Sequence, residues 1–429
     1  MTAAPTSFRR GTLLVALGVG AFGLANYLFL AGTTRLLGPA AFADFNVFWG
    51  LVYGLGLGLC LPFEQEVSRR VSLARGSGAD PAPVLRAAYR TTAIGTAVLA
   101  VLTVPLAMLY ADSSDVPLVV VLCTLAYLAL AMAYVSRGGL SGGARFGRYA
   151  TQFGIEGLVR VLVVALVAAG VVVAGVTIFA LAVPAALLAG VLLTSTVVVR
   201  GRPVLPMGEF VRSLGPIVVS SMVVQSMINL GPVTINLVTD ASQKSLAGSF
   251  LAAAVVTRAP ILAFSAVQAV LIPRLVRSVV ARDHRDFRRG LVTVLVPTLG
   301  IGVLGMLAWL VAGPALLRVL AGDEYDLPRA DMALLAMAVA LYLVCIVLQS
   351  AALALSRHVA TMCSWLIGGT VFALLVAVLP LRPTWTVGWA MVGAFAGAAV
   401  ALGVVVRRAM ARPVLGGPAR GGPATADTG

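Results

Sequence analysis

Charged residues are scarce in this chain of 429 residues. Asp, Glu, Lys and Arg together make up 11% of it, and only 16 residues are acidic. A soluble domain carries about 25% charged residues, so the composition excludes an ordinary water-exposed surface. Cysteine is also rare, and no two cysteines are closely spaced, which excludes a disulfide framework or zinc site. We predict that all four are small buried side chains: Cys60, Cys123, Cys345 and Cys363.

Long polar segments are missing as well. The longest polar connection between apolar runs is about a dozen residues, too short for a folded domain outside a membrane. The sequence contains no Ser/His/Asp set, no metal-ligand cluster and no nucleotide-binding loop. We therefore predict that the protein is not an enzyme and has no catalytic residue, metal site or cofactor.

Apolar runs fill the remaining sequence. Hydrophobic residues make up 60% of the chain, and its mean hydropathy is +1.01. A membrane-spanning helix needs about 20 mostly apolar residues, and uninterrupted runs lack the alternation of barrel strands. We predict an all-α polytopic membrane protein with about twelve spans, at 11–33, 46–67, 88–110, 116–136, 150–173, 176–199, 213–238, 246–273, 290–312, 331–355, 359–380 and 385–406.

The basic residues follow the membrane topology. With the N-terminus inside, 24 of the 31 basic residues fall on inner connections and 5 on outer ones, while Arg160 and Arg258 lie within spans. This split is the positive-inside pattern, and it predicts cytoplasmic termini in a cell membrane, in keeping with a bacterial protein. The net charge of +15 is then explained by insertion and by contact with anionic lipid, so we predict no nucleic-acid partner.

The two halves of the sequence resemble each other. Residues 41–45, AFADF, open segment two, and residues 246–250, LAGSF, open segment eight. Each run continues to an Arg-rich inner connection and then, after another span, to an acidic outer loop. Parallel repeats of this kind are a transporter architecture with its binding site between the lobes. We predict a cytoplasmic N-terminus at 1–10, an N-lobe at 11–199, a cytoplasmic linker at 200–212, a C-lobe at 213–406 and a disordered basic tail at 407–429.

A motif after the first segment resembles a known family. Residues 34–39, TRLLGP, followed by Phe42 and Phe45, resemble the R-L-L-G-P-x-x-F-G-x-F signature of polysaccharide-export flippases. These belong to the superfamily of multidrug/oligosaccharidyl-lipid/polysaccharide exporters, and Ala43 replaces their usual Gly. The resemblance implies a V-shaped pair of six-helix lobes, like that of MATE transporters. It also implies flipping of an undecaprenyl-diphosphate-linked oligosaccharide from the inner to the outer leaflet.

Arg258 is the leading candidate for binding such a diphosphate. It lies near the middle of segment eight, and Pro260 follows two residues later. A central Arg costs about 2.5–3.5 kcal/mol on insertion scales, so it usually faces a bundle interior or a wet cavity. Guanidinium groups bind oxyanions through two parallel hydrogen bonds. The alternative is a structural Arg that caps carbonyl groups or pairs with a carboxylate.

Arg160 is the second candidate cation, and Glu156 precedes it by four residues. This spacing puts both side chains on one face of segment five. The pair is either a gate, in which Glu156 holds Arg160 until substrate or a proton competes, or a neutralised structural pair.

Amide side chains in segments one and seven are candidates for binding sugar. Paired spans interrupted by Gly or Pro are the best sequence indication of a transporter site. The alternative for each amide is a hydrogen bond between helices. The candidates are Asn26 in segment one and Gln225, Asn229 and Asn236 in segment seven.

Glu64 and Glu66 lie near the inner end of segment two, just before Arg69 and Arg70. They either pair with these arginines or couple transport to a proton or sodium gradient.

Two other functions stay open. A drug/cation antiporter of the same fold would need unpaired carboxylates within its spans. A membrane-bound sugar polymerase or glycosyltransferase would need a long outer loop with catalytic carboxylates, whereas residues 323–331 form only a short acidic turn. For the flippase, we expect the glycosyltransferases and polymerase of the same pathway as partners.

Overall fold

The computed structural model describes residues 5–110, 115–195, 207–258, 260–261, 283–355 and 357–411, with five isolated residues between 271 and 281. The described residues form α-helices joined by short connections. The helices are α1 (Pro5–Leu51), a π-helical turn (Val52–Gly56), α2 (Leu57–Gly76), α3 (Ala82–Tyr110), α4 (Val116–Gly142), α5 (Phe146–Ala168), α6 (Val176–Thr194), α7 (Met207–Val238), α8 (Lys244–Thr257), α9 (His284–Ala321), α10 (Arg329–Ala354), α11 (His358–Val378) and α12 (Pro383–Ala411).

Nine helical stretches in this described part are long and apolar enough to cross a membrane. The first, Leu17–Gly76, is 60 residues long and contains most of the predicted segment one and all of segment two. Its two arms turn at Gly38, whose φ of 72° is left-handed, directly before Pro39. Phe29 on one arm packs against Phe45 and Trp49 on the other, with ring centroids 6.1 and 6.0 Å apart. The run is therefore a folded pair of arms.

The helices pack as two groups. In the first group α1 packs on α5 and α6, and α4 packs on α2, α3 and α6. In the second group α9 packs on α10, and α12 packs on α10 and α11, while α7 contacts α11 and α12 and α8 contacts α10. The groups meet where α1 contacts α8 and where α2 contacts α7. This arrangement confirms the predicted all-α fold with two helical lobes.

Lipid-facing surfaces explain the high apolar content. Large apolar side chains are exposed along α3, such as Val101 and Met108, and along α9, such as Leu304 and Val311. These side chains would be costly in water and are stable against lipid tails. The protein is therefore a multi-pass membrane protein.

Three sequence predictions need correction here. Arg137 lies just beyond the predicted segment 116–136 and is one of the 24 basic residues assigned to inner connections, but it is only 1% exposed inside α4. Cys363 is exposed, whereas the other three cysteines are buried as predicted. The acidic loop at 323–331 is not a solvated turn throughout, because Tyr325 and Asp331 are each 1% exposed.

Parts of some predictions lie outside the described residues. They include most of the inner linker, most of the basic tail, and much of segment eight beyond Arg258. In the described part of segment eight, α8 ends at Thr257 and Arg258 is its C-cap residue. Arg258 therefore stands at a helix end instead of within a continuous helix.

Candidate functional site

A cavity of about 200 Å³ lies between α1, α7 and α8, at the junction of the two lobes. Both arms of α1 line it, and α7 and α8 contribute one wall each. A larger depression over residues 144–148 is formed by consecutive residues at the surface, so the cavity between helices is the better candidate. The cavity is lined by Asn26, Tyr27, Leu30, Asn46, Trp49, Gly50, Asn229, Leu251, Ala254, Val255, Arg258 and Ile261.

Three of the nine predicted site residues meet in this cavity: Asn26, Asn229 and Arg258. They come from α1, α7 and the end of α8, so the fold brings together residues more than 200 positions apart in sequence. Among the described residues that line the cavity, one is a cation and none is a carboxylate. Gln225 and Asn236, predicted as binding residues on α7, are not among them.

Glycines allow the lobes to approach each other beside the cavity. A Cβ on Gly50 would lie 2.9 Å from Val233 Cγ2, and one on Gly58 would lie 2.8 Å from the backbone of Met222, both too close for a side chain. Gly54, by contrast, is within ordinary contact distance of Asn229. Small residues at such crossings let helix backbones pack closely. Gly54 belongs to the π-helical turn, and turns of this type are frequent at functional sites.

The orientation of each cavity amide follows from its hydrogen bond. Asn46 Nδ2 donates to the carbonyl oxygen of Phe42 at 3.0 Å, and Asn229 Nδ2 donates to the carbonyl oxygen of Gln225 at 2.9 Å. Asn26 is oriented differently, because its Oδ1 accepts a hydrogen bond from Arg160. Backbone carbonyl groups only accept and guanidinium groups only donate, so each assignment of the amide oxygen and nitrogen is fixed chemically.

Arg160 is fully buried and reaches the cavity only through Asn26. Its Nη2 donates to the Tyr53 hydroxyl at 2.5 Å. Its guanidinium carbon lies 5.1 Å from the centre of the Phe22 ring and 5.9 Å from that of Trp49. Aromatic faces attract cations in dry surroundings, which helps α5 to retain this charge. Arg160 is thus a buried support for the cavity wall and does not line it.

The predicted pairing of Glu156 with Arg160 is wrong. The Glu156 carboxylate accepts a hydrogen bond from Arg137 on α4, and both side chains are almost completely buried. The Arg137 guanidinium also lies 3.9 Å from the centre of the Phe153 ring. The i, i+4 spacing puts Glu156 and Arg160 on one face of α5. In the structure, however, Glu156 pairs with a residue on α4 and Arg160 with a residue on α1.

The two other predicted carboxylates lie away from the cavity. Glu66 accepts hydrogen bonds from Arg69 and Arg70, each at 2.7 Å, as one of its two sequence interpretations required. Glu64 instead accepts a hydrogen bond from the Tyr149 hydroxyl at 2.7 Å. Among the described residues, no group of three or more His, Cys, Asp or Glu side chains is arranged to hold a metal ion.

Sequence reasoning missed Asn46, Trp49 and Tyr53. They lie at positions i, i+3 and i+7, on one face of a helix. This periodicity was available in the sequence, directly after the TRLLGP motif. Arg137 was missed for another reason, since its location near a predicted span end placed it among the solvated basic residues.

Contacts between the lobes cluster at the end of the molecule predicted to face outward. Lys244 Nζ on α8 lies 2.7 Å from Asp44 Oδ1 on α1, and both side chains are nearly half exposed. The Tyr325 hydroxyl donates to the carbonyl oxygen of Thr34 at 2.5 Å. Burial raises the pKa of Tyr325, so its hydroxyl stays protonated at neutral pH. Gly248, in the second of the two repeated motifs, packs against Pro39, which precedes the first.

Comparisons with known proteins agree with this architecture. No protein-family model matches the chain. The uncharacterized protein Rv1510 of Mycobacterium tuberculosis is 28% identical over 423 residues, which cover 95% of this chain and 94% of that protein.

Solved structures show the fold. An inward-facing multidrug resistance MATE family transporter of the MOP superfamily superimposes with a TM-score of 0.67 and 14% identity, covering 91% of this chain and 93% of that one. A second match is a MOP superfamily transporter from Pyrococcus furiosus, described as having a binding pocket of reverse polarity that suggests a different function. It superimposes with a TM-score of 0.64 and 13% identity, covering 93% of this chain and 94% of that one. The chain therefore has the fold of MATE transporters of the MOP superfamily.

Proposed function

We propose that this protein flips a lipid-linked oligosaccharide, joined to undecaprenyl diphosphate, from the inner to the outer leaflet by alternating access. The observation that carries the proposal is the composition of the cavity, in which Arg258 lies with three amide side chains and no carboxylate belongs to the part of the lining that the structure describes. A diphosphate needs a cation with several donors, and sugar hydroxyl groups need neutral polar partners. The TRLLGP motif of the flippase family supports the same substrate.

The sign of the cavity charge separates this function from the main alternative. A drug/cation antiporter would bind cationic substrates, for which a lining carboxylate is the natural partner. Glu156, a completely buried carboxylate on α5, pairs with Arg137 outside the cavity. The fold is shared with multidrug transporters, but the charge at the cavity favours an anion.

The size of the cavity limits which part of the substrate it holds. Its volume of about 200 Å³ is below the usual range of about 300–1,000 Å³ for small-molecule pockets. It accommodates a phosphate group and an adjoining sugar, whereas a whole oligosaccharide requires further opening of the lobes. The lipid tail would remain in the bilayer, outside the helices.

Energy and partners follow from the same proposal. A proton or sodium gradient is the proposed source of energy, with Glu64, Glu66 and Glu156 as the candidate coupling carboxylates. A membrane enzyme remains the weaker alternative, because the solved structures with this fold are transporters. The proposed partners are the glycosyltransferases that make the substrate and the polymerase that uses it.

Replacement of Arg258 tests the proposal. Arg258→Ala should insert at least as well as the wild type because a costly residue is removed, yet it should lose translocation of the lipid-linked sugar in reconstituted vesicles. Arg258→Lys should retain part of the activity, since it keeps the charge but loses the fork geometry. Membrane abundance is measured beside translocation for each variant.

Arg90→Ala is the matched control, because Arg90 is an exposed arginine on α3. It should leave both abundance and translocation per molecule unchanged. Full translocation per molecule in Arg258→Ala would reject the role of this residue and with it the anionic substrate.

A further inference from the structure

Three asparagines line the cavity, and they do not offer it the same chemical groups. Asn26 has its carbonyl oxygen held by Arg160, which leaves its amide N–H groups to donate. Asn46 and Asn229 each have the amide nitrogen held by a backbone carbonyl, which leaves the carbonyl oxygen to accept. None of these three side chains has a further hydrogen bond among the described residues, and each lines the cavity.

Arg258 adds donors only, because a guanidinium group has no acceptor. The cavity therefore contains a donor set, Arg258 and Asn26, and an acceptor set, Asn46 and Asn229. A phosphate group carries only strong acceptors at neutral pH and matches the donor set. Sugar hydroxyl groups can donate as well as accept, and they match the acceptor set.

We propose that Arg160 is a positioning residue that fixes this polarity: by holding Asn26 Oδ1 it makes Asn26 a second donor for phosphate beside Arg258, while Asn46 and Asn229 accept hydrogen bonds from the adjoining sugar. The ligand class is thus a glycosyl phosphate. The inference rests on the proposed function, since it assigns parts of that substrate to named residues. It differs from the sequence prediction, in which Arg160 itself bound the substrate.

The structure supports an indirect role for Arg160. The side chain is fully buried, its Nη2 is held by Tyr53, and four aromatic rings lie within 6 Å of its guanidinium carbon. A guanidinium group held in this way cannot extend into the cavity without breaking those contacts. The Asn26 amide, by contrast, would be free to present either its oxygen or its nitrogen if the bond to Arg160 were absent.

Three soluble probes separate the two sets: inorganic phosphate, glucose and glucose 1-phosphate. Their affinities are measured by calorimetry on the purified full-length protein in detergent. The matched variants are Asn26→Leu and Asn46→Leu, the same chemical change at two places in the cavity. Asn26→Leu should weaken phosphate and glucose 1-phosphate by about tenfold each, the effect of one lost charge-assisted hydrogen bond. Asn46→Leu should weaken glucose 1-phosphate by a similar factor and leave phosphate unchanged.

A double-mutant cycle tests whether Arg160 acts through Asn26. Arg160→Met should weaken phosphate binding by about tenfold in the wild type and cause no further loss in the Asn26→Leu background. If Arg160→Met does not fold, Arg160→Gln replaces it in the cycle, because it also removes the charge that holds Asn26 Oδ1. Arg160→Lys is the rescue variant: it keeps the charge and can still donate to Asn26, so it should retain phosphate affinity within about threefold.

Several outcomes would overturn the inference. They are equal effects of the two Leu variants on inorganic phosphate, additive losses from Arg160→Met and Asn26→Leu, and absence of phosphate or glucose 1-phosphate binding to the wild type. Translocation in vesicles is scored separately. Probe binding with the expected pattern but no lipid translocation would reject the flippase and keep the assigned polarity, whereas translocation without the pattern would reject only the polarity.

Discussion

The ion pair between Glu156 and Arg137 permits a direct test of the buried charges in α4 and α5. Their side chains are 0% and 1% exposed, respectively. Breaking a buried pair by removing one partner costs about 3–5 kcal/mol, because the other charge remains without compensation. Replacing both charges with side chains of similar size is often nearly neutral. We therefore expect Glu156→Gln and Arg137→Met each to lower stability strongly and the double variant to recover most of the loss.

The groups around the ion pair determine how much stability is lost when either charge is removed. Glu156 Oε2 and Arg137 Nε are buried without a hydrogen-bond partner among the described residues, so the pair is held mainly by its single short contact and by the Phe153 ring. Met in place of Arg137 keeps an unbranched side chain against that ring. The coupling energy between the two sites should exceed about 2 kcal/mol, within the range for residues in direct contact.

The assay is the apparent melting temperature of the purified protein in detergent, together with its abundance in membranes. The second double variant, Glu156→Gln with Arg160→Met, is the control. If Glu156 and Arg160 were the true pair, this variant would recover stability. If Arg137 is the partner of Glu156, it should be at least as unstable as either single variant. Recovery in this control, or additive losses in Glu156→Gln with Arg137→Met, would refute the reasoning.

Two further predictions concern topology and packing. Asp283 is exposed just before α9, and the charge distribution predicts that it lies in the cytoplasm. On a cysteine-free background, Asp283→Cys should react with an impermeant thiol reagent only after the cells are opened. Labelling of intact cells would reverse the predicted orientation. A Cβ at Gly248 would overlap the carbonyl oxygen of Pro39, so Gly248→Ala should cost about 1–3 kcal/mol and lower the melting temperature. The control is Gly300→Ala on α9, which should not lower the melting temperature, because a Cβ there would meet nothing within 4 Å. Equal effects of the two Gly→Ala variants on the melting temperature would contradict the packing at the lobe junction.

The fold was predictable from sequence because the bilayer permits few solutions. Runs of about 20 apolar residues must be helical so that every backbone polar group is bonded, and short connections make neighbours antiparallel. The predicted segments correspond in order to the helices observed in the described residues. The folded form of α1 was less predictable, since residues 34–45 continue the helix on both sides of Gly38, where a loop was expected.

The site was predictable only in part. Asn26, Asn229 and Arg258 were predicted because a polar side chain within an apolar run is costly to place in a membrane and usually has a functional role. Their hydrogen-bond partners were not found, because Arg137 and Glu156 belong to different helices, as do Arg160 and Asn26. A single sequence shows the spacing of residues along one helix. The partner of a buried charge can lie on any of the helices packed around it, and one sequence does not show which helices those are.

The strengths of these contacts indicate how the proposed transport cycle would proceed. The contacts that join the lobes at the predicted outer end include a half-exposed ion pair and the hydrogen bond from Tyr325 to Thr34, each worth about 1 kcal/mol. The hydrogen bond from the buried Arg160 to Asn26 lies within the N-lobe. Separation of the lobes breaks the contacts between them and leaves this bond in place, so Arg160 keeps Asn26 fixed to α5. The donor next to Arg258 then moves with the N-lobe and Arg258 with the C-lobe, so outward opening itself pulls apart the two groups that hold the phosphate.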